Sequence, residues 1–420
     1  MVPRVSRGAV VATLVGNTLE FYDFIAYTFF AVYIGRAFFP TDSAVASLLL
    51  SVATFGIGFL TRPLGAVWIG AYADRVGRKP ALLLTIALMS VGTLGLVATP
   101  SYASIGLAAP VILMVSRLVQ GLALGGEVGP ANAVLIECAP PGQRALYMSL
   151  QSASQGIATM ASGVVGLVIA SALTEDQLAS WGWRLPFAAG LVLIPVGLYM
   201  RRTLPETLPE PKHATAGAAL RAVWTDHRRE VLLLVLVTAS STITTYVLNY
   251  MTTFATKTLG MSAFAGMVAP IAMGVMIVVM APIAGLICER FGRRETLIVS
   301  RVLTIALAVP AFLYLIHERS IFALVMSVVV LTVVAMPATV VNLTVMAEVF
   351  PPESRGAGIA LTYATAVTVF GATTQFVITW LLDVTGSPLA PAYYAMAAAA
   401  MSVLAALSLF AGIARRATAP

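Results

Sequence analysis

Gly70-Ala-Tyr-Ala-Asp74-Arg75-Val-Gly77-Arg78-Lys79 is answered half a chain later by Gly285-Leu-Ile-Cys-Glu289-Arg290-Phe-Gly292-Arg293-Arg294. In both stretches an acid, a glycine and several arginines break an apolar sequence, which marks a polar loop between two hydrophobic helices. A second echo keeps nearly the same offset: Glu137-Cys-Ala-Pro140-Pro141-Gly-Gln-Arg144 against Glu348-Val-Phe-Pro351-Pro352-Glu-Ser-Arg355. Two echoes at nearly one spacing predict parallel internal repeats. Around them the apolar runs reach about 20 residues or more, enough for a helix to cross ~30 Å of hydrocarbon. The spans fall at 9–36, 46–73, 80–99, 107–137, 144–173, 184–202, 229–257, 263–288, 296–316, 321–347, 357–383 and 390–413. The expected fold is an all-α polytopic membrane protein of 12 transmembrane helices in two pseudo-symmetric six-helix bundles. Residues 1–202 form the first bundle, 203–228 a cytoplasmic linker with Pro205, Pro209 and Pro211, and 229–420 the second.

Composition agrees. Of 420 residues, 59% are hydrophobic and only 10% charged, against about 25% charged in soluble domains. The net charge of +7 invites a nucleic-acid reading, but its placement argues otherwise. Most of the 25 Lys and Arg gather in alternate loops, at Arg75, Arg144, Arg201, Arg202, Arg228, Arg229, Arg294 and their neighbours. Arg36, Arg184, Lys257 and Arg319 are expected on the opposite side. The positive-inside rule then puts both termini in the cytoplasm. The first run is too long for a signal-peptide core and is expected to remain. Cys138 and Cys288, near the ends of different spans, read as free, inert thiols. His213, His227 and His317 all lie outside the spans, which excludes a buried histidine relay. Neither a phosphate-binding G-x-x-x-x-G-K-[ST] loop nor a metal or catalytic triad constellation occurs, so neither ATP-driven transport nor an enzyme is expected.

Charges inside the spans carry the functional signal. Gly16-Asn17-Thr-Leu-Glu20-Phe-Tyr-Asp23-Phe24 sets two carboxylates halfway along the first span, where each ionised group costs about 2.5–3.5 kcal/mol. Helical spacing gathers Asn17, Glu20, Asp23 and Tyr27 into one polar stripe. Arg62 lies 12 positions before Asp74, about 18 Å into the membrane, and Arg117 is deep in the fourth span. Exposed to lipid, these four charges would together cost on the order of 10 kcal/mol, so they must pair or bind. Two buried ion pairs that merely fix packing are the plain alternative, though such pairs are poor sources of stability. Gln151, Ser154, Gln155 and Thr159 make a polar stripe in the fifth span, and Ser241, Thr245, Asn249 and Thr253 another in the seventh, beside Tyr246 and Tyr250. Thr362, Tyr363 and Thr365 do so in the eleventh. Gly121, Gly125 and Gly129 form a small-residue ridge for close helix packing. Lys257 near the outer mouth reads as an interfacial anchor or an attractor of anions. Arg301, six residues beyond Glu295, is expected to snorkel to the inner surface. Asp74 and Glu289 can each face the N-terminus of a helix from the opposite half, after Arg355 and Arg144, where the helix dipole favours an anion.

The G-x-x-x-D-R-x-G-R-K loop, and Arg117-Leu-Val-Gln-Gly121-Leu-Ala-Leu-Gly125-Gly126 on the fourth span, resemble motifs of the major facilitator superfamily. G-N-x-x-E-x-Y-D-F at 16–24, R-P-L-G-A at 62–66, W-G-W-R-L-P-F at 181–187 and R-R-T-L-P-E-T at 201–207 resemble its metabolite:proton symporters. The stretches at 109–121 and 244–250 are most similar to the citrate and tricarballylate branch. The resemblance implies a monomeric inner-membrane carrier with no cofactor beyond the proton gradient. It would take up a small organic acid with protons by alternating access, citrate or a related tri- or dicarboxylate first. Rivals are 2-oxoglutarate, shikimate, an osmolyte (betaine or proline), or a non-transporting sensor. The osmolyte carriers of that group often end in a charged heptad tail, absent here. By the same resemblance Asp23 is the proton-coupling acid. Deprotonated, it is expected to hold Arg117; protonated, to free that guanidinium for a substrate carboxylate, a fit for arginine's fork. Arg62 would add a second carboxylate contact. Glu20 is either a second proton site or the resting partner of Arg62. Asn17, Tyr27, Gln151, Gln155, Tyr246 and Asn249 complete the candidate ligands. Gly70, Asp74, Arg75, Arg78, Glu289, Arg290 and Arg293 are the expected gate, with Glu127 either a gate-side acid or a solvated partner of a loop arginine.

Overall fold

The computed structural model describes residues 7–76, 78–140, 142–202, 223–351 and 355–417. The linker expected at 203–228 lies largely outside them. Within them the chain is built from helices: α1 Arg7–Phe38, α2 Ala44–Leu60 resumed after Thr61 by Arg62–Val76, α3 Arg78–Ala98, α4 Ala108–Cys138, α5 Arg144–Ala172 and α6 Leu185–Arg202. Then follow α7 Arg228–Asn249, prolonged by Met251–Thr253 and a π turn at Phe254–Thr258, α8 Ala263–Phe291, α9 Arg293–Glu318 and α10 Ile321–Val349. The last two are α11, with Arg355–Ala366, a π turn Val367–Gly371 and Ala372–Thr385, and α12 Ala390–Ala417. On their described residues alone, all but α1, α3 and α6 are long and apolar enough to cross a bilayer.

Local chemistry sets the helix ends. Ser43, Ser262 and Ser320 cap α2, α8 and α10, each hydroxyl accepting from the amide three residues on, at Ala46, Ala265 and Ala323. Between α8 and α9 a single residue turns the chain, Gly292 at φ 89°, a backbone conformation that side chains resist. Prolines inside α6, α8, α9 and α10 are tolerated because neighbouring helices screen the loosened backbone.

Helices before Arg202 pack chiefly around one apolar core and those after Val223 around another. The two cores meet along two seams. In one, α5 and α8 interlock: a Cβ on Gly274 would stand 2.4 Å from the Met160 amide. In the other, α2 meets α11, where the Thr368 hydroxyl donates to the Phe59 carbonyl at 3.1 Å. The small-residue ridge of α4 rests on α2. A Cβ on Gly121 would lie 1.7 Å from the Gly58 carbonyl oxygen, and one on Gly125 2.0 Å from that of Arg62. At Thr61 the α2 helix is interrupted, and the Thr61 hydroxyl donates to Leu118 O at 2.7 Å. This break, pinned to α4, aims the next residue, Arg62.

Candidate functional site

Asp23 and Arg117 are both buried in the first bundle, and the structure joins them without a direct ion pair. Arg117 Nη1 donates to Gln120 Oε1 at 2.8 Å, Gln120 Nε2 to the Thr93 hydroxyl at 2.9 Å, and Thr93 to Asp23 Oδ2 at 2.7 Å. Every bond points from cation to anion, so the three bonds polarise one another in the same sense. The expected direct grip is therefore replaced by a relay. Its cause is geometric: the Arg117 guanidinium lies on the Tyr27 ring, 3.7 Å from the centroid, while Asp23 turns toward α3 and α6. Gly190 of α6 makes room for it, since a Cβ there would stand 1.8 Å from Asp23 Oδ1. That oxygen has no hydrogen-bond partner, and neither do Arg117 Nε and Nη2. Asp23 and Glu20 also border a cavity of ≈ 30 Å³ with Ile86, Met89 and Gly190, room for about one water. Sequence reasoning missed Thr93 and Gln120. The signal for Gln120 was its place one helical turn from Arg117.

Arg62 belongs to a different environment, the seam between the bundles. Its guanidinium carbon sits 4.0 Å from the Phe59 ring centroid and 4.5 Å from that of Phe24. Tyr246 of α7 packs on Phe59 at 5.7 Å, and the α11 π turn closes on both rings at Gly371. The Tyr246 and Tyr363 side chains lie close to Arg62. Aromatic faces thus hold the cation while Nε and Nη2 have no hydrogen-bond partner. Buried amide groups on three inward-facing helices are also unpartnered: both polar atoms of Gln151 on α5 and of Gln375 on α11, and Asn249 Oδ1 on α7. Buried polar groups are nearly always satisfied by protein, water or ligand. Gln375 was not singled out in the sequence, although Gln375 and Thr379 stand at helical spacing.

Other expected ligands are engaged within the protein. Asn17 Nδ2 donates to the Ser154 hydroxyl at 2.6 Å, and the Tyr27 hydroxyl to Ser51 O at 3.1 Å. Gln155 is half-buried. Arg301 corrects the sequence reading: it does not snorkel. Fully buried in the second bundle, it donates from Nη2 to the Ser241 hydroxyl, and among the described residues no carboxylate lies within ion-pair reach. Arg301 is about 12 Å along α9 from Arg293, and its face of the helix turns inward.

At the end of the molecule where α5 begins and α8 ends, Glu289 of α8 crosses to the opposite bundle. Its Oε1 accepts from the Ala145 amide at 2.7 Å, at the N-terminus of α5, where the helix dipole favours an anion. Arg293 braces it, bonding Glu289 at 2.9 Å and Glu348 at 3.0 Å. Arg290 instead lies 5.5 Å over the ring of its neighbour Phe291. The burial of Gly70 and the side chains of Asp74, Arg75, Arg78 and Glu127 lie outside what the structure describes.

Two helical bundles closing on a buried polar seam, with an acid-to-arginine relay beside it, have the layout of a membrane transporter. Comparison with known proteins makes the class specific. The family model of the Major Facilitator Superfamily matches residues 13–372, and the chain belongs to that superfamily. It is 35% identical to the citrate-proton symporter of Klebsiella pneumoniae over 96% of this chain and 91% of the relative. It is 32% identical to the glycine betaine/proline/ectoine/pipecolic acid transporter OusA of Dickeya dadantii, over 96% and 82%. Among solved structures, the xylose transporter XylE from E. coli shares the fold with a TM-score of 0.76 at 17% identity, covering 96% of each chain.

Proposed function

We propose that this protein is a proton-coupled symporter for a small organic acid, citrate or a related tri- or dicarboxylate. It works as a monomer in a cell inner membrane with both termini cytoplasmic, alternating access between the bundles at 1–202 and 229–420. The observation that carries this is the separation of the two arginines. Arg62 offers unpartnered donors at the seam, while Arg117 is linked to the titratable Asp23 through Gln120 and Thr93. Arg62 takes the substrate carboxylate, with Tyr246, Asn249, Gln151 and Gln375 as neutral contacts. Protonation of Asp23 slackens the relay and lets the first bundle shift, and Glu20 is a second acid on the same path. Glu289 on the α5 terminus closes the cytoplasmic gate in this state. Protons moving with a polyanion offset its repulsion by an inside-negative potential, about 2.3 kcal/mol per charge at 100 mV.

An osmolyte symporter is the alternative that the similarity to OusA raises. Aromatic rings do bind quaternary ammonium groups, but here Phe24 and Phe59 already hold the Arg62 cation, which repels a second one. The test is labelled citrate uptake into proteoliposomes under an inward proton gradient, challenged with unlabelled mono-, di- and tricarboxylates and betaine. Competition by tri- or dicarboxylates alone is expected; competition by betaine alone would overturn the carboxylate reading.

A further inference from the structure

At the end opposite the Glu289 gate, a cavity of ≈ 230 Å³ opens between the bundles. That is smaller than the sites of about 300 Å³ and more that hold drug-sized ligands. Its charged lining comes from three separate places: Arg36 at the end of α1, Glu175 from the short helix Glu175–Ser180 after α5, and Lys257 at the end of α7. Tyr33, Thr252 and Thr256 add hydroxyls. Lys257 is presented by the π turn Phe254–Thr258, a local irregularity of the sort that recurs at functional sites. The Glu175 carboxylate accepts from the Tyr33 hydroxyl at 3.3 Å, Lys257 stands within electrostatic reach of both Arg36 and Glu175, and Glu175 forms no ion pair with either cation.

A plain account exists for each cation alone, since a basic residue at a helix C-terminus complements the dipole. It does not explain why one cation from each bundle should share a single cavity with one carboxylate on a tyrosine between them. Two cations and one acid leave the mouth one positive charge in excess, and low-dielectric walls focus that field. We infer that this vestibule is a capture site for a small di- or tricarboxylate, and that Glu175 is its built-in competitor. The incoming carboxylate takes up the attraction of Arg36 and Lys257 that Glu175 otherwise draws, before moving inward to Arg62. This deepens the carboxylate reading above and rests on it.

The two residues predict opposite signs. In initial-rate uptake of labelled citrate, Lys257→Gln should raise KM several-fold at unchanged kcat, and Glu175→Gln should lower it. Both effects should shrink at 0.5 M salt, where the screening length falls below about 5 Å. A KM unmoved by both changes, or raised by Glu175→Gln, would overturn the capture site while wild-type uptake leaves the function intact. A second readout needs no transport. Of the chain's three lysines, Lys79, Lys212 and Lys257, Lys257 lines the vestibule. In purified protein, citrate should slow acylation of Lys257 by an amine-reactive ester several-fold, and betaine should not. Equal protection of Lys79, or none at Lys257, contradicts the site. Protection of Lys257 in a protein that accumulates no carboxylate would leave the site standing and sink the symport reading instead.

Discussion

At the residue scale, the distinction that matters is between Arg117, tied into a relay, and Arg62, held only by rings. Asp23→Asn keeps an acceptor for Thr93 but removes the titratable charge. It should abolish proton-driven accumulation and leave substrate counterflow, an exchange needing no net proton movement, within a few-fold of wild type. Loss of both would mean that Asp23 shapes the fold rather than the coupling. Arg62→Lys keeps the charge but gives up the planar fork and the ring stacking, so substrate KM should rise about tenfold or more, consistent with 1–3 kcal/mol of lost charge-assisted hydrogen bonding. Gly190→Ala forces a Cβ into the space of Asp23 Oδ1. The cost should be about 1–3 kcal/mol, read as a lower Tm in detergent together with impaired proton coupling. How much of this was legible in the sequence follows from what a sequence carries. Buried charges announce themselves by cost, so Glu20, Asp23, Arg62 and Arg117 stood out. Which charge meets which depends on rotation about helix axes, and that hid the Gln120 and Thr93 bridge. For the same reason Arg301, near enough to a helix end to snorkel, was read as facing water.

At the scale of elements, glycine does for helix pairs what the charges do for the site. The α2 and α4 backbones approach so closely at Gly121 and Gly125 that Gly125→Leu must drive a side chain into the carbonyl of Arg62. Little folded protein should survive gel filtration in detergent, whereas an exposed change such as Val111→Ala on the same helix should be neutral. The ridge was readable from spacing alone. The π turns were not, because they arise from tertiary fit at the seam, and they place Lys257 and Gly371 where a regular helix would not. Glu289 offers the sharper test. Its carboxylate on the α5 terminus is worth roughly 1 kcal/mol, about a fivefold change in the balance of states. Glu289→Gln should therefore expose a cysteine placed at Ala145 to aqueous thiol reagents several-fold faster than in the parent. Equal labelling rates would deny Glu289 a gating role.

Over the whole molecule, repeat and hydropathy patterns foretold the twelve spans closely, because a bilayer leaves few ways to satisfy backbone hydrogen bonds. What they left open was the relation between the bundles, decided by the α5–α8 and α2–α11 seams. Those seams come together over Arg62, with Glu289 on the α5 N-terminus at one end and the vestibule at the other. The symport proposed for this protein requires that proton and acid move in one cycle. The direct measurement is a pH-sensitive dye trapped inside proteoliposomes that hold the purified protein, with citrate added outside at symmetrical pH. Symport should give acidification of the lumen that needs citrate, scales with its uptake and vanishes in Asp23→Asn. Citrate entry with no proton entry, or acidification that survives Asp23→Asn unchanged, would contradict it.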